Sequence, residues 1–261
     1  LPGFLSTIRS QVFTYVLFTL FIYLLERLRK NDNKIIWIFP AIMLVWTNVH
    51  GGFLSGLGLI AIYIIGETIN KKRTIKYLSI FIVSSLVTLI NPYGIQFWLF
   101  MSEAVTMPRP YITEWQPLNL FDSLTNWIGF KIFLTVVIVG YAFKLASGTR
   151  KFDWTKIIVL LVTFYLSIKH QRHCMFFIIT AAIFGYEYFY QLLNYIWNKL
   201  KINLENKLNF INSNLGIFTV YTIQYIPLVI IIGGLCLMNK PTIKVPETMY
   251  PVHAVEFIKI N

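Results

Sequence analysis

The stretch Trp46-Thr47-Asn48-Val49-His50-Gly51-Gly52 lies between two apolar runs, 35–46 and 53–69, and combines polar side chains with two glycines. A helix over 35–49 would be about 22 Å long at ~1.5 Å per residue, which is shorter than the ~30 Å hydrocarbon core of a bilayer. The turn at its end is therefore predicted to lie below the membrane surface. Non-helical backbone at that depth has to be buried in protein or to line a watery cavity. Asn48 and His50 are accordingly predicted to line a pocket.

The composition is typical of a membrane protein. Of the 261 residues, 56% are hydrophobic, 17% are aromatic and only 13% are charged. These values favour several membrane-spanning segments over a soluble domain. The net charge of +12 would otherwise suggest nucleic-acid binding, but the basic residues form short clusters between apolar runs, as they do in cytoplasmic loops. Membrane lipid is the expected partner, and no nucleic acid is expected.

Eight apolar segments predict an all-α, polytopic bundle of about eight transmembrane helices. Alternate loops between them are basic and hold fifteen of the 23 Lys and Arg residues. The positive-inside rule makes those loops cytoplasmic and places both chain ends outside, so a multi-pass protein of the plasma membrane is predicted. The segments are 11–28, 35–49, 53–69, 77–90, 128–145, 157–168, 175–193 and 216–238.

The predicted domains are a transmembrane domain over 1–240 and the start of an extracytoplasmic segment over 241–261. Because the chain begins at Leu1 and has no signal-peptide pattern, we expect that further sequence precedes it. Cys174 and Cys236 both fall within apolar segments, which predicts buried thiols rather than a disulfide framework.

Every unusual polar cluster lies on the outer side under this topology, whereas the cytoplasmic loops carry only ordinary Lys, Asn and Asp. Three short segments, about 18–22 Å each as helices, end outward at such clusters. Together they predict an outward-facing cavity with polar turns as its floor. The alternative is that these helices extend one turn further at their cytoplasmic ends than predicted, in which case part of the difference from the bilayer thickness disappears. The outer clusters are Arg9 with Gln11, the 46–52 stretch, the turn 91–94, the loop 101–126 and the turn 170–173.

The loop after the fourth segment is predicted to fold back over the cavity mouth. It starts with the turn Asn91-Pro92-Tyr93-Gly94, followed by a short interfacial helix over 95–101. Pro108, Pro110 and Pro117 then keep the chain irregular.

The candidate catalytic residues are Glu114, His50 and His173. A histidine within the membrane can shuttle a proton, donate a hydrogen bond or bind a metal, and the alternative is a structural histidine that holds its turn. Glu114 is the carboxylate of the lid-like loop, and its alternative is a solvated loop carboxylate. His170 and His173 have a spacing that suits a metal, but no acid lies nearby, and Cys174 beside His173 falls within an apolar segment. A divalent cation therefore stays open, with no metal ligand assigned.

The candidate substrate-binding residues include two arginines, Arg9 and Arg172, whose planar guanidinium groups suit a phosphate. The alternative for each is interfacial snorkelling to lipid phosphates. No nucleotide-binding loop, nucleophile elbow or zinc-binding HExxH motif is present. The other residues predicted to line or close the cavity are Gln11, Trp46, Asn48, Asn91, Tyr93, Trp115 and Gln116.

Five short motifs occur in a characteristic order: 9–15 (RSQVFTY), 46–52 (WTNVHGG), 90–94 (INPYG), 114–116 (EWQ) and 172–173 (RH). Their order resembles a group of bacterial multi-pass membrane proteins similar to the GT-C superfamily, the membrane glycosyltransferases that include protein O-mannosyltransferases and aminoarabinose transferases. The resemblance implies inverting transfer of a sugar from a polyprenyl-phosphate carrier to an acceptor on the extracytoplasmic side.

Two features depart from the GT-C pattern. Ser10 stands where proline is expected, and no acidic residue precedes Glu26, although GT-C enzymes usually carry the catalytic acid in their first extracytoplasmic loop. That acid is expected in preceding sequence.

Two other functions stay open. A transporter or flippase subunit would be favoured by polar groups deep in the inner half of the bundle, and the sequence shows neither these nor an internal repeat. A non-catalytic membrane scaffold would use the polar turns only to pack helices. The sequence indicates no oligomeric state.

Overall fold

The computed structural model describes residues 10–121, 126–148 and 151–207, with side chains described up to residue 200. These residues form helices and turns and contain no strand. Arg9, the predicted segment 216–238 and the predicted domain 241–261 lie outside them. The chain divides into two compact units, Leu1–Ile196 and Trp197–Asn261. Of the second unit only the end of one helix is described, and all that follows concerns the first.

Helices cover all seven predicted segments that fall within the described residues. Helix α5 lies where the short interfacial helix over 95–101 was predicted, and it is longer than predicted by more than one turn. A π-helical turn, Ala181–Gly185, joins the last two helices. The helices are α1 (Gln11–Arg29), α2 (Ile38–Val49), α3 (Phe53–Ile69), α4 (Ile75–Val87), α5 (Ile95–Thr106), α6 (Ile128–Ala146), α7 (Trp154–Lys169), α8 (Cys174–Thr180) and α9 (Tyr186–Lys207).

Three helical stretches of the described chain are long and apolar enough to cross a membrane: Gln11–Arg29, Ile128–Ala146 and Gln171–Leu200. Shorter apolar stretches cover Asn33–Val49 and Phe53–Ile69. The coarse prediction of an all-helical fold with membrane-spanning helices is thus supported by helix length and composition.

The structure corrects two helix boundaries. Helix α7 begins at Trp154, three residues earlier than predicted, because the Asp153 carboxylate accepts the backbone N–H of Thr155 at 3.2 Å and caps the helix. Its 16 residues span about 24 Å, so part of its predicted shortness was a boundary error. Helix α2 is shorter than expected, with 12 residues, and it includes Trp46. Only His50–Gly52 forms the non-helical turn before α3.

Aromatic side chains pack against one another in the core, between α1 and α2 and between α6 and α8. Helix α3 packs against α1, α2, α4 and α7, and α8 packs against α1, α6 and α7. Phe21 of α1 makes edge contacts with Phe39 and Trp46 of α2, with ring centroids 5.3 Å apart in both pairs. Phe130 of α6 meets Phe177 of α8 at 4.9 Å. These rings fix how the helices pack around α1 and α8.

A cluster of ion pairs around Arg29 joins the ends of α1, α3 and α7. The guanidinium lies 3.0 Å from Glu26, 3.0 Å from Glu67 and 2.7 Å from Asp153. The side chain of Arg29 is 9% exposed and that of Glu67 only 2%. Arg29 is one of the fifteen Lys and Arg residues in the basic loops that were predicted to be cytoplasmic. In the structure it is instead a largely buried cation that three carboxylates neutralise.

Neighbouring polar groups complete this Arg29 cluster. The Thr155 hydroxyl donates to Glu67 at 2.8 Å, and the Tyr63 hydroxyl donates to Glu26 at 2.8 Å. The side-chain amide of Asn70 donates to Asp153 at 3.1 Å. The Arg29 cluster therefore extends about two helical turns along α3, from Tyr63 to Asn70.

Replacing Arg29 by Met should destabilise the protein strongly. Removing one partner of a buried ion pair leaves uncompensated charge and costs about 3–5 kcal/mol. Arg27→Met is the matched control, because Arg27 lies on the same helix and pairs with Asp32 while its side chain is 46% exposed, so its loss should have little effect on stability. Thermal unfolding in detergent measures both. Equal losses in the two variants would contradict a structural role for the Arg29 cluster.

The stability conferred by Asp153 should disappear in acid. Burial acts to raise the pKa of Asp153, but the hydrogen bond and charge of Arg29 outweigh it, so the pKa lies below its ordinary value of 3.8. A depressed carboxyl pKa gives stability that is present above the unfolded-state pKa and is lost as the pH falls through the folded-state pKa. Wild type should therefore unfold at a higher temperature than Asp153→Asn at neutral pH, and the difference should narrow below about pH 4. A difference independent of pH would refute this assignment.

Candidate functional site

The loop after α5, which was predicted to fold back over a cavity mouth, folds back onto the turn between α7 and α8. The backbone N–H of Leu118 donates to the Ile168 carbonyl at 2.9 Å, and that of Gln171 donates to the Gln116 carbonyl at 3.0 Å. The imidazole of His170 donates from Nδ1 to the Trp115 carbonyl at 2.6 Å. These bonds bring two predicted clusters, 114–116 and 170–173, into contact.

Segments 114–116 and 170–173, together with Arg109, form one cluster with Trp115 at its centre. It is called the Trp115 cluster below. The guanidinium carbons of Arg109 and Arg172 lie 4.1 and 4.3 Å from the Trp115 ring centroid. Such cation–π contacts contribute about 0.5–2 kcal/mol each, depending on burial. Arg172 also lies 3.9 Å from the Glu114 carboxylate. The structure thus brings together Glu114, Trp115 and Arg172, three residues that the sequence singled out, and adds Arg109.

The beginning of α1 contacts the same turn. The side-chain amide of Gln11 donates to the Tyr15 hydroxyl at 2.7 Å and to the Arg172 carbonyl at 3.5 Å. The Tyr15 hydroxyl also donates to the Arg172 carbonyl, at 3.4 Å. Gln11, one of the predicted binding residues, therefore lies beside the backbone of Arg172.

Two buried polar atoms of the Trp115 cluster have no hydrogen-bond partner among the described residues: Nη1 of Arg109 and Nδ1 of His173. A buried polar atom left unpaired costs stability, so each atom is suited to accept a partner from a ligand. The His173 ring lies 6.2 Å from the Trp115 ring.

His50 belongs to a separate hydrogen-bonded chain at the turn between α2 and α3. Its Nδ1 accepts the backbone N–H of Gly52 at 3.0 Å and lies 2.8 Å from the Thr14 hydroxyl. That hydroxyl in turn accepts the indole N–H of Trp46 at 3.2 Å. Because Nδ1 is an acceptor, the imidazole carries its proton on Nε2. His50 therefore both holds the turn and presents a neutral donor.

Several predicted binding residues have local structural contacts. Trp46 is fully buried against Phe21. Asn48 donates to the Leu44 and Ile90 carbonyls at 2.8 and 3.0 Å and so links α2 to the end of α4.

The remaining predicted residues of this set lie in turns. Asn91 accepts the backbone N–H of Tyr93 at 2.8 Å, which closes their own turn. Tyr93 is 68% exposed, and the Gln116 amide donates to the Pro110 carbonyl at 2.5 Å.

An apolar groove of about 490 Å³ starts at Tyr15 and follows α1. Its lining comes from one face of α1 and from Ile179 of α8. Tyr15 of this lining also contacts the Trp115 cluster, through the Arg172 carbonyl. A second cavity lies at the Arg29 end, and neither of the two is lined by Glu114 or His50. The groove is lined by Tyr15, Val16, Thr19, Leu20, Tyr23 and Ile179.

Within the described residues, no three His, Cys, Asp or Glu side chains lie together so as to hold a metal ion. Comparison of the chain with protein-family models, with curated proteins and with solved structures found no match. The likeness to GT-C enzymes stays a prediction from the sequence motifs.

Sequence reasoning missed Arg109 and Thr14. Arg109 stands between two prolines in a loop that carries few other charges, which was the available signal. Thr14 carried none, because a threonine in an apolar helix usually bonds its own backbone. Only the packing of α1 against α2 reveals that it joins Trp46 to His50.

Gly52→Ala should disturb the His50 turn. A Cβ at Gly52 would lie 2.2 Å from the Thr14 hydroxyl oxygen and 2.8 Å from His50 Nδ1. Overpacking of this kind costs about 1–3 kcal/mol. Gly58→Ala is the control on α3, because a Cβ there meets nothing within 4 Å. Thermal unfolding should show a loss for Gly52→Ala and none for Gly58→Ala, and similar behaviour of both would contradict the close contact.

Proposed function

We propose that this protein is a membrane glycosyltransferase that takes a sugar from a polyprenyl-phosphate carrier at the Trp115 end of the bundle. The observation that carries the proposal is the meeting of Arg172 with the apolar groove at Tyr15. The Tyr15 hydroxyl donates to the Arg172 carbonyl, and its side chain lines the groove. A phosphate bound by guanidinium groups and an isoprenoid chain along α1 would match these two adjoining environments.

Arg172 and Arg109 would stabilise the leaving phosphate in this mechanism. Arg9, predicted to assist them, lies outside the described residues. Inverting transfer needs an acceptor hydroxyl that attacks the anomeric carbon while the bond from that carbon to the phosphate oxygen breaks. The negative charge then develops on the phosphate, where guanidinium groups contribute most. Trp115 holds both guanidinium groups in place before the substrate arrives.

Glu114 is the carboxylate placed to accept the proton of the attacking hydroxyl. It lies 3.9 Å from Arg172, so the base and the phosphate-binding group are adjacent. His50, at the turn between α2 and α3, and His173 are the imidazoles that can donate to or accept from sugar hydroxyls.

A transporter subunit is the second candidate, because Arg29 and Glu67 are buried ionisable groups at the end of the bundle opposite to Trp115. They lie at the ends of α1 and α3, and not deep within the bundle, where polar groups would favour transport. Buried ionisable groups within transporters mark substrate or ion pathways. In this alternative the Arg29 cluster would be the closed inner gate.

Binding of a polyprenyl phosphate tests the proposal. The purified protein in detergent should bind the lipid saturably, as measured by native mass spectrometry, and Arg172→Ala should weaken binding about 10- to 100-fold because it removes a charge-assisted contact. Lys169→Ala is the matched control, since it removes a nearby exposed charge that lies outside the cluster. Its affinity should change by less than about twofold.

Absence of saturable binding by wild type would refute the carrier mechanism and favour the transporter or a scaffold. Equal weakening in Arg172→Ala and Lys169→Ala would assign the binding to general surface charge instead of the cluster.

A further inference from the structure

A second cavity lies at the opposite end of the bundle, where α1, α3 and α4 meet. Its volume is about 510 Å³. The lining includes the ends of α1 and α3, the loop that follows α3 and the first turn of α4. The charged and hydroxyl-bearing residues of its lining are Arg29, Glu67, Lys72, Arg73, Lys76 and Tyr77.

Cations outnumber anions in this lining. Glu67 is the single carboxylate, and it is shared between Arg29 at 3.0 Å and Lys72 at 3.5 Å. Lys76 donates to the Leu28 carbonyl at 2.6 Å, which fixes its ammonium group without neutralising it. Arg73 forms no ion pair with any residue that the structure describes. The lining therefore holds four cations and one carboxylate, and an excess of about one positive charge remains when Glu26 and Asp153, which pair with Arg29, are also counted.

Two buried donors of the lining lack partners among the described residues. The hydroxyl of Tyr77 and Nε of Arg29 are both buried and make no hydrogen bond, and Tyr77 is only 1% exposed. Buried polar atoms in native proteins are nearly always paired. An anionic oxygen bound in the cavity would accept a hydrogen bond from the Tyr77 hydroxyl. The same oxygen would balance the excess positive charge.

We propose that this cavity binds a phosphate-bearing anion through Arg73, Lys72, Lys76 and the Tyr77 hydroxyl. Phosphate oxygens accept several such donors at once. The source of the phosphate is either the headgroup of an anionic lipid, since basic pockets between membrane helices bind such headgroups, or a soluble phosphate. This site is independent of the transferase proposal, because it lies at the other end of the bundle and shares no residue with the Trp115 cluster.

Two probes separate the sources of phosphate. Phosphatidylglycerol is titrated into the purified full chain in phosphatidylcholine nanodiscs, and inorganic phosphate is titrated in a parallel experiment. Saturable binding of phosphatidylglycerol that phosphate does not displace identifies a lipid headgroup. Saturable binding of inorganic phosphate identifies a soluble anion, and either result supports the site.

Three variants locate the binding. Tyr77→Phe deletes only the unpartnered hydroxyl and leaves the packing and charge unchanged, so the fold is retained while affinity should fall about tenfold. Arg73→Gln should weaken binding to a similar extent. Lys71→Gln removes an equally exposed charge from the same loop, outside the cavity lining, and should change the affinity by less than about twofold.

Failure of wild type to bind either probe would overturn the proposal. Weakening in Arg73→Gln without weakening in Tyr77→Phe would also overturn it, because binding would then depend on surface charge and not on the buried hydroxyl. Equal losses in Arg73→Gln and Lys71→Gln would lead to the same conclusion.

Discussion

The charge of Arg29 is the constraint on which the arrangement of the bundle depends. Desolvating a guanidinium costs several kcal/mol, which only well-placed partners offset. Its partners are Glu26 on α1, Glu67 on α3 and Asp153 at the start of α7, so pairing this one charge holds three helix ends together. Packing agrees with the ion pairs: a Cβ at Gly66 would lie 2.4 Å from the backbone of Thr155, which shows how closely α3 approaches α7.

Helix α1 links the two ends of the bundle. Arg29, its last residue, pairs with Asp153 before α7, and Gln11 and Tyr15 in its first turns bind the Arg172 carbonyl in the turn that follows α7. Helix α1 is continuous between these points. The irregular segments that carry the candidate chemistry therefore contact a helix that the Arg29 cluster holds at its other end. Rigid elements of this kind position side chains more accurately than loops do by themselves.

The sequence predicted the helices well because apolar runs and turn residues report local structure. It also predicted that the 114–116 and 170–173 clusters share one side, because the alternation of basic loops ordered the segments. It could not predict the pairing of Arg29, since Asp153 is 124 residues away and an arginine at a helix end looks like a loop cation. Trp46 was assigned to a pocket because of its polar neighbours, whereas its indole is fully buried. Partners and burial are decided by packing, which short motifs do not encode.

Whether the Arg29 cluster is permanent separates the two leading functions. Alternating access requires the inner end to open, and opening would separate Arg29 from Glu67 and Asp153 and rehydrate all three. Removing one partner from such a cluster costs about 3–5 kcal/mol, so a transporter would need an ion or substrate that replaces the lost contacts in the open state. A transferase needs no such exchange, because its substrates enter and leave at one end. The additional contacts from Thr155, Asn70 and Tyr63 raise the cost of opening further, and this favours an Arg29 end that stays closed.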